Sequence, residues 1–130
     1  MTNAADEAEQ ERGYLESRGR RSRAGAGQAR ALADRFRALA QAQTKLGEEF
    51  RSLAAATVLD DEKDSVSPAV LRRDPMKYEV QQTLSRMDHV VHDAHGRAGI
   101  WSALADHLTV QADRLAGELK EHDEAGQADG

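Results

Sequence analysis

The sequence predicts an all-α fold, an antiparallel coiled-coil helical hairpin of two long helices that assembles into a four-helix dimer or a larger helical complex. Leu, Ile, Val and Phe together make up only 22 of the 130 residues, fewer than the roughly 20% that a compact core requires. Alanine contributes 23 residues, and the abundant Ala, Leu, Glu, Arg and Gln favour helix. Apolar side chains also recur at alternating steps of three and four residues in two long segments.

Residues 1–27 are predicted to be a disordered charged tail, because they contain few large apolar side chains to bury. Acidic residues dominate the beginning of this tail, and a run of arginines follows. The arginines are candidate contacts for an anionic partner: Arg18, Arg20, Arg21, Arg23 and Arg30. A membrane surface is favoured over nucleic acid, because no aromatic side chains are interleaved for base stacking. The structural alternative is a solubilising tail.

A first helix is predicted over residues 28–59. Leucine occupies the d position of four successive heptads, at Leu32, Leu39, Leu46 and Leu53, and Phe36 and Phe50 occupy a positions. We therefore expect the leucines to lie in the contact between helices. Each leucine is followed by a small residue, which would let a neighbouring helix approach closely.

Residues 60–75 are predicted to form an acidic linker with a short helical turn. Asp60, Asp61, Glu62 and Asp64 oppose the dipole at the end of a helix, and Ser67-Pro68 could open the turn. Asp74-Pro75 is a stronger start signal, with Asp74 as N-cap and Pro75 as the first helical residue.

The second helix is predicted over residues 76–121, followed by a disordered acidic tail at 122–130. Its apolar and small residues keep the heptad register without a slip: Val80, Leu84, Met87, Val91, Ala94, Ala98, Trp101, Ala105, Leu108, Ala112, Leu115 and Leu119. Because the register runs through Gly96 and Gly99, we expect one continuous helix with a weak point there. Val90 and Leu104 widen the apolar stripe on one side, which suggests more than one neighbouring helix.

Nothing in the sequence indicates an enzyme, and we predict no catalytic residue and no cofactor. The chain lacks cysteine, no Ser, His and Asp are spaced as a triad, and no phosphate-binding glycine loop occurs. His89 and His92, with His95, are the candidate metal ligands, but at this spacing solvated polar surface is the favoured interpretation. No apolar run suits a membrane span or a signal peptide. We therefore expect a cytoplasmic protein, membrane-associated if the arginines bind lipid.

Residues 31–54, ALADRFRALAQAQTKLGEEFRSLA, resemble the first helix of BAR domains of the sorting-nexin type. A Leu-Gly-x-x-Phe-x-x-Leu-Ala phrase is common there, and here it runs from Leu46 to Ala54. The segment from Trp101 to Leu108 is similar to the second BAR helix. The resemblance implies a dimer that binds membranes, although the third long helix and the basic patches of BAR domains are missing. Helical hairpins secreted by type VII systems resemble this chain in the spacing of their apolar residues, but their Trp-x-Gly turn is missing here.

We accordingly predict a non-enzymatic coiled-coil interaction or scaffold module that acts through helix–helix association, with a protein partner or with itself as a homodimer. The expected interface comprises the larger apolar residues of both helices: Leu32, Phe36, Leu39, Leu46, Phe50, Leu53, Leu84, Met87, Val91, Trp101, Leu104, Leu108 and Leu115. One alternative is a peripheral membrane-binding, BAR-like protein that uses the arginine run. A second is a small secreted hairpin of a type VII system.

Overall fold

The computed structural model describes residues 3–57 and 75–128, and these residues form two long helices. Helix α1 spans Ala4–Thr57 and helix α2 spans Pro75–Ala128, with no strand in either described range. The predicted all-α helical hairpin is therefore confirmed. Helix α2 begins at Pro75, as the start signal predicts, and continues without a break through Gly96 and Gly99. The predicted acidic linker and its short helical turn fall on residues 58–74, which lie outside the described residues.

Helix α1 begins far earlier than predicted. The Asn3 side-chain oxygen accepts a hydrogen bond of 2.8 Å from the backbone N–H of Asp6, which caps the first turn. Asp6 and Glu7 lie in that turn, where negative charge stabilises the helix dipole. The prediction of a disordered tail over residues 1–27 is therefore not confirmed, since residues 4–27 are helical. The predicted acidic tail is likewise helical from 122 to 128.

The packing between the helices divides into two units. The first joins the described residues of Met1–Ala33 to those of Gly99–Gly130, and the second comprises those of Asp34–Ala98. In the first unit, Arg12 bonds to Asp123 and Arg30 bonds to Thr109, so the two helical segments run antiparallel. The early part of α1 packs against α2 through one large side chain, Leu15, and through small ones. The small buried residues are Ser22, Ala26 and Ala29.

On α1 the centre of the contact lies one position beyond the predicted leucines. The small residues after Leu32, Leu39 and Leu53 are buried, with Ala33 1% exposed, Ala40 0% and Ala54 3%, and Gly47 after Leu46 is half-buried. The leucines themselves lie at the edge, with Leu39 42% exposed, Leu46 50% and Leu53 60%. The expectation that the leucines occupy the middle of the contact is therefore wrong for these three residues. We call the central set the small-residue row: Gly19, Ala26, Ala33, Ala40, Gly47 and Ala54.

Steric size explains this shift. Two helix backbones approach most closely where side chains are smallest, and close approach increases the number of dispersion contacts along both helices. Once the small-residue row is central, the half-buried Phe36 and Phe50 fill the space on one side of it. The leucines follow on the outer side of the phenylalanines and lose most of their contact with α2.

On α2 the predicted row occupies the contact throughout. Ala94, Ala98, Ala105 and Ala112 are at most 3% exposed, and the larger members of the row are buried or half-buried. The same spacing continues by one polar residue at each end of the row, Lys77 before Val80 and His122 after Leu119. The apolar pattern did not include these two residues. Val90 and Leu104, expected beside the row, are 42% and 39% exposed.

We predict that Ala40→Leu destabilises the hairpin by about 1–3 kcal/mol, because a larger side chain at a fully buried position forces the backbones apart. Urea unfolding followed by circular dichroism at fixed protein concentration measures the change. The matched control is Ala38→Leu, which adds the same atoms at an exposed position of the same helix and should change stability by less than about 0.5 kcal/mol. Equal effects of the two substitutions would contradict the central position of Ala40.

Two glycines provide a second test of the packing. A Cβ atom at Gly96 would meet nothing within 4 Å, whereas at Gly25 it would lie 3.1 Å from Cδ1 of Leu108. Gly96→Ala should therefore raise the free energy of unfolding by about 1 kcal/mol, the helix-propensity difference. Gly25→Ala should give a smaller gain or a loss, because Leu108 must shift. Thermal unfolding of both variants makes the comparison, and an equal gain would contradict the close contact at Gly25.

Candidate helix-association surface

The second unit has two flanks of opposite character, one on each side of the contact between its helices. A helix turns by about 100° per residue, so Arg51, one residue after the half-buried Phe50, lies on one flank. Leu53, three residues after Phe50, lies about 60° the other way. On α2, Asp88 follows the half-buried Met87 by one residue and Val90 follows it by three. These two side chains therefore also lie on opposite flanks. We call the Arg51 side the charged flank and the Leu53 side the apolar flank.

The charged flank is closed by an ion pair between the helices. The Arg51 guanidinium donates through Nη2 to both carboxylate oxygens of Asp88, at 2.9 and 2.8 Å. Two further ion pairs of this unit lie within single helices, Arg37 with Asp34 and Arg97 with Asp93. All of these side chains are about half exposed or more, so each pair contributes at most about 1 kcal/mol. Of these pairs only Arg51–Asp88 bridges the two helices, and Arg97, seven residues after Val90, lies on the Val90 side.

The apolar flank carries the exposed large hydrophobic side chains of this unit that face away from the ion pair. Leu39, Leu46 and Leu53 recur every seven residues on α1, while Met76 and Val90 are 60% and 42% exposed on α2. Ala42 and Ala56 extend the stripe outward on α1. A connected apolar stripe at heptad spacing is the surface that a further helix packs against.

The predicted interface residues therefore separate into two groups. One group packs within the hairpin and is buried or half-buried: Leu32, Phe36, Phe50, Leu84, Met87, Val91, Trp101, Leu108 and Leu115. The other group is exposed and available to a partner: Leu39, Leu46, Leu53 and Leu104. Trp101 is half-buried within the contact of the first unit, which agrees with its predicted position in the heptad row.

The arginine run lies on α1 within the first unit, and its members point in different directions. Successive rotations of about 100° place Arg18 and Arg21 on one side of the helix and Arg20, Arg23 and Arg30 on the other. Arg30 donates to Thr109 Oγ1 at 2.9 Å and lies 4.0 Å from the Asp106 carboxylate. The structure therefore does not gather the five arginines into one patch.

A groove of about 510 Å³ lies in the first unit between α1 and α2. Its floor is made of small residues, Gly19, Ala112 and Ala116. Its rim carries three cations and three carboxylates: Glu16, Arg20, Arg23, Lys120, Asp123 and Glu124. The groove therefore carries no net charge that would mark it as a site for one kind of ion.

A charged cluster closes the outer end of the first unit. Arg12 Nε donates to Asp123 Oδ1 at 2.9 Å, and its Nη1 donates to Glu16 Oε2 at 3.3 Å. The hydrogen bond and the charge of Asp123, followed by the charge of Glu16, raise the pKa of Arg12 above its ordinary value. His122 Nε2 lies 3.8 Å from the Glu11 carboxylate, while its buried Nδ1 has no hydrogen-bond partner. Because the side chains of Arg12, Glu16 and Asp123 are 39–49% exposed, solvent screens these ion pairs and each adds little to the pairing of the helices at this end.

The candidate metal ligands His89, His92 and His95 are exposed on α2. Among the described residues, no group of three or more His, Cys, Asp or Glu side chains could hold a metal ion. Nor is either described helix long and apolar enough to cross a membrane.

No family model matches this chain, and no curated protein or solved structure shows significant similarity to it. The resemblances to BAR domains and to type VII hairpins therefore stay predictions.

The structure predicts a small, salt-sensitive contribution from the Arg51–Asp88 pair. Asp88→Asn should lower the free energy of unfolding by less than about 1 kcal/mol at low ionic strength. The difference should shrink in about 1 M salt, where the Debye length falls to roughly 3 Å. Urea unfolding at both salt concentrations measures it, with Asp113→Asn, another exposed aspartate of α2, as control. A loss several times larger, or one independent of salt, would contradict the exposed geometry.

Proposed function

We propose that this protein is a non-enzymatic helical interaction module that binds a further helix along the apolar flank. The observation that carries the proposal is the displacement of Leu39, Leu46 and Leu53 from the hairpin contact to its edge, where they remain 42%, 50% and 60% exposed. Single exposed leucines are ordinary on protein surfaces. Three at heptad spacing on one stripe are typical of a coiled-coil contact.

The arrangement of the flank fits a helical partner better than a small molecule. The stripe is long and narrow, with the small side chain of Ala42 between Leu39 and Leu46 and that of Ala56 beyond Leu53. A helix laid along it would place its own side chains between the leucines, as knobs do in the holes of a coiled coil. Burial of the exposed half of each leucine is worth about 1 kcal/mol, so the flank supports reversible association.

The membrane-binding alternative has less support. Arg18 and Arg21 diverge from Arg23 and Arg30 around α1, and part of the run is engaged with acidic or hydroxyl groups of α2. Vesicle binding through this run would need the arginines to face one surface together. No observation favours lipid over a protein helix, and none bears on secretion.

The proposal predicts that Leu39→Gln/Leu46→Gln removes association while preserving the hairpin. Both leucines are already largely exposed, so helix content should stay unchanged and the free energy of unfolding of the isolated hairpin should fall by less than about 2 kcal/mol. Association is measured in two ways. Sedimentation velocity detects self-association at tens of micromolar, and a photo-crosslinking amino acid at position 46 in the source cells captures whichever protein contacts the flank.

The chain offers a matched control two residues after Leu46 and Leu53, about 200° around α1 from these leucines. Glu48→Gln/Ala55→Gln places the same two amides on the opposite side of α1, and a photo-crosslinker at position 48 samples that side. These variants should associate normally and give no specific crosslink. The proposal fails if the chain stays monomeric and position 46 captures nothing that position 48 does not also capture.

A further inference from the structure

We propose that the helix that covers the apolar flank is α1 of a second copy of this chain, packed antiparallel across a two-fold axis near Ala42. This inference rests on the proposed function and specifies its partner. The evidence is the order of side chains along the exposed stripe of α1 within the second unit.

The two leucines nearest Ala42 are placed almost symmetrically about it. Leu39 lies three residues before it and Leu46 four residues after it. In a two-fold contact between identical surfaces, residue i meets residue j while j meets i. Two antiparallel copies of α1 centred here therefore place leucines on both sides of a small central residue. The small side chain of Ala42 lets the two backbones come close at the axis.

The charges of the stripe are opposite at symmetric positions. Arg35 lies seven residues before Ala42 and Glu49 seven residues after it, and both are exposed on the side of α1 that faces away from α2. In the antiparallel arrangement, each Arg35 lies within about one helical turn of Glu49 of the second copy, and the symmetry forms this pair twice. A parallel arrangement would instead bring each arginine next to an arginine and each glutamate next to a glutamate.

The charge order therefore favours a second copy in the antiparallel direction. A second copy supplies the opposite charge at both positions by its own symmetry, whereas another helix would need both charges at matching distances. The ion pair between Arg51 and Asp88 lies on the charged flank and is not disturbed by this contact.

The chain contains no cysteine, so single cysteines test the geometry directly in the full-length protein. Ala42→Cys lies at the axis and should give an efficiently crosslinked dimer with a short bismaleimide. Ala56→Cys lies on the same stripe, 14 residues further along α1, where the two copies would be roughly 40 Å apart at about 1.5 Å per residue. It should give no crosslink. Gln41→Cys lies next to Ala42 in sequence but about 100° around α1 from it, away from the stripe, and should give none either.

Charge exchange tests the pairing independently of crosslinking. Arg35→Glu and Glu49→Arg should each weaken dimerisation about tenfold in sedimentation equilibrium, because each places like charges together twice. The double variant Arg35→Glu/Glu49→Arg restores opposite charges and should recover the affinity to within about threefold. Circular dichroism checks that each variant keeps its helix content.

The outcomes separate this inference from the proposed function. Crosslinking of Ala56→Cys as efficient as that of Ala42→Cys, or a double variant no better than either single variant, would overturn the antiparallel register. A chain that stays monomeric while position 46 captures a different protein would overturn the second copy and leave the proposed function intact. If position 46 captures nothing and the chain is monomeric, both proposals fail.

Discussion

The close approach of the two helices at the small-residue row is the constraint on which the rest of the structure depends. Ala33, Ala40 and Ala54 are at most 3% exposed, and no larger side chain could occupy these positions without separating the backbones. Because the contact is built from small residues, few large hydrophobic groups are needed to hold the helices together. This arrangement reconciles a long two-helix structure with a composition poor in Leu, Ile, Val and Phe.

The same constraint creates the surface that we assign to association. A coiled-coil contact has room for two rows of side chains from each helix. On α1 those rows are the small-residue row and the row that contains Phe36 and Phe50, so the leucines at 39, 46 and 53 are displaced to the edge. Their exposure is therefore a consequence of how α1 packs on α2, and the tight internal contact and the apolar flank arise from one residue pattern.

Much of the fold could be predicted from heptad spacing, but the parts without large apolar side chains could not. The heptad row of α2 could be predicted from Val80 to Leu119 because all of its members are apolar or small. The early part of α1 keeps the same spacing through Leu15, Ser22 and Ala26, where hydrophobicity gives little signal and the glycines and charges suggest a tail. The burial of Ala40 instead of Leu39 was also hidden, because sequence spacing identifies a stripe without showing which of two adjacent rows lies at its centre. Which of the two rows is central also determines which leucines of the candidate site are exposed.

The two flanks distribute charge in ways that suit different kinds of contact. Arg51 and Asp88 lie on different helices of one chain, so they can pair as soon as the hairpin closes. Arg35 and Glu49 lie 14 residues apart on one helix, about 21 Å along its axis, and cannot reach each other. Lys45, four residues before Glu49, is the nearest cation to Glu49 on the same side of α1, and a second copy adds an opposite charge for both Arg35 and Glu49 at the matching distance. Their position beside the exposed leucines is a further reason why we propose the apolar flank, and not the charged flank, as the surface for association.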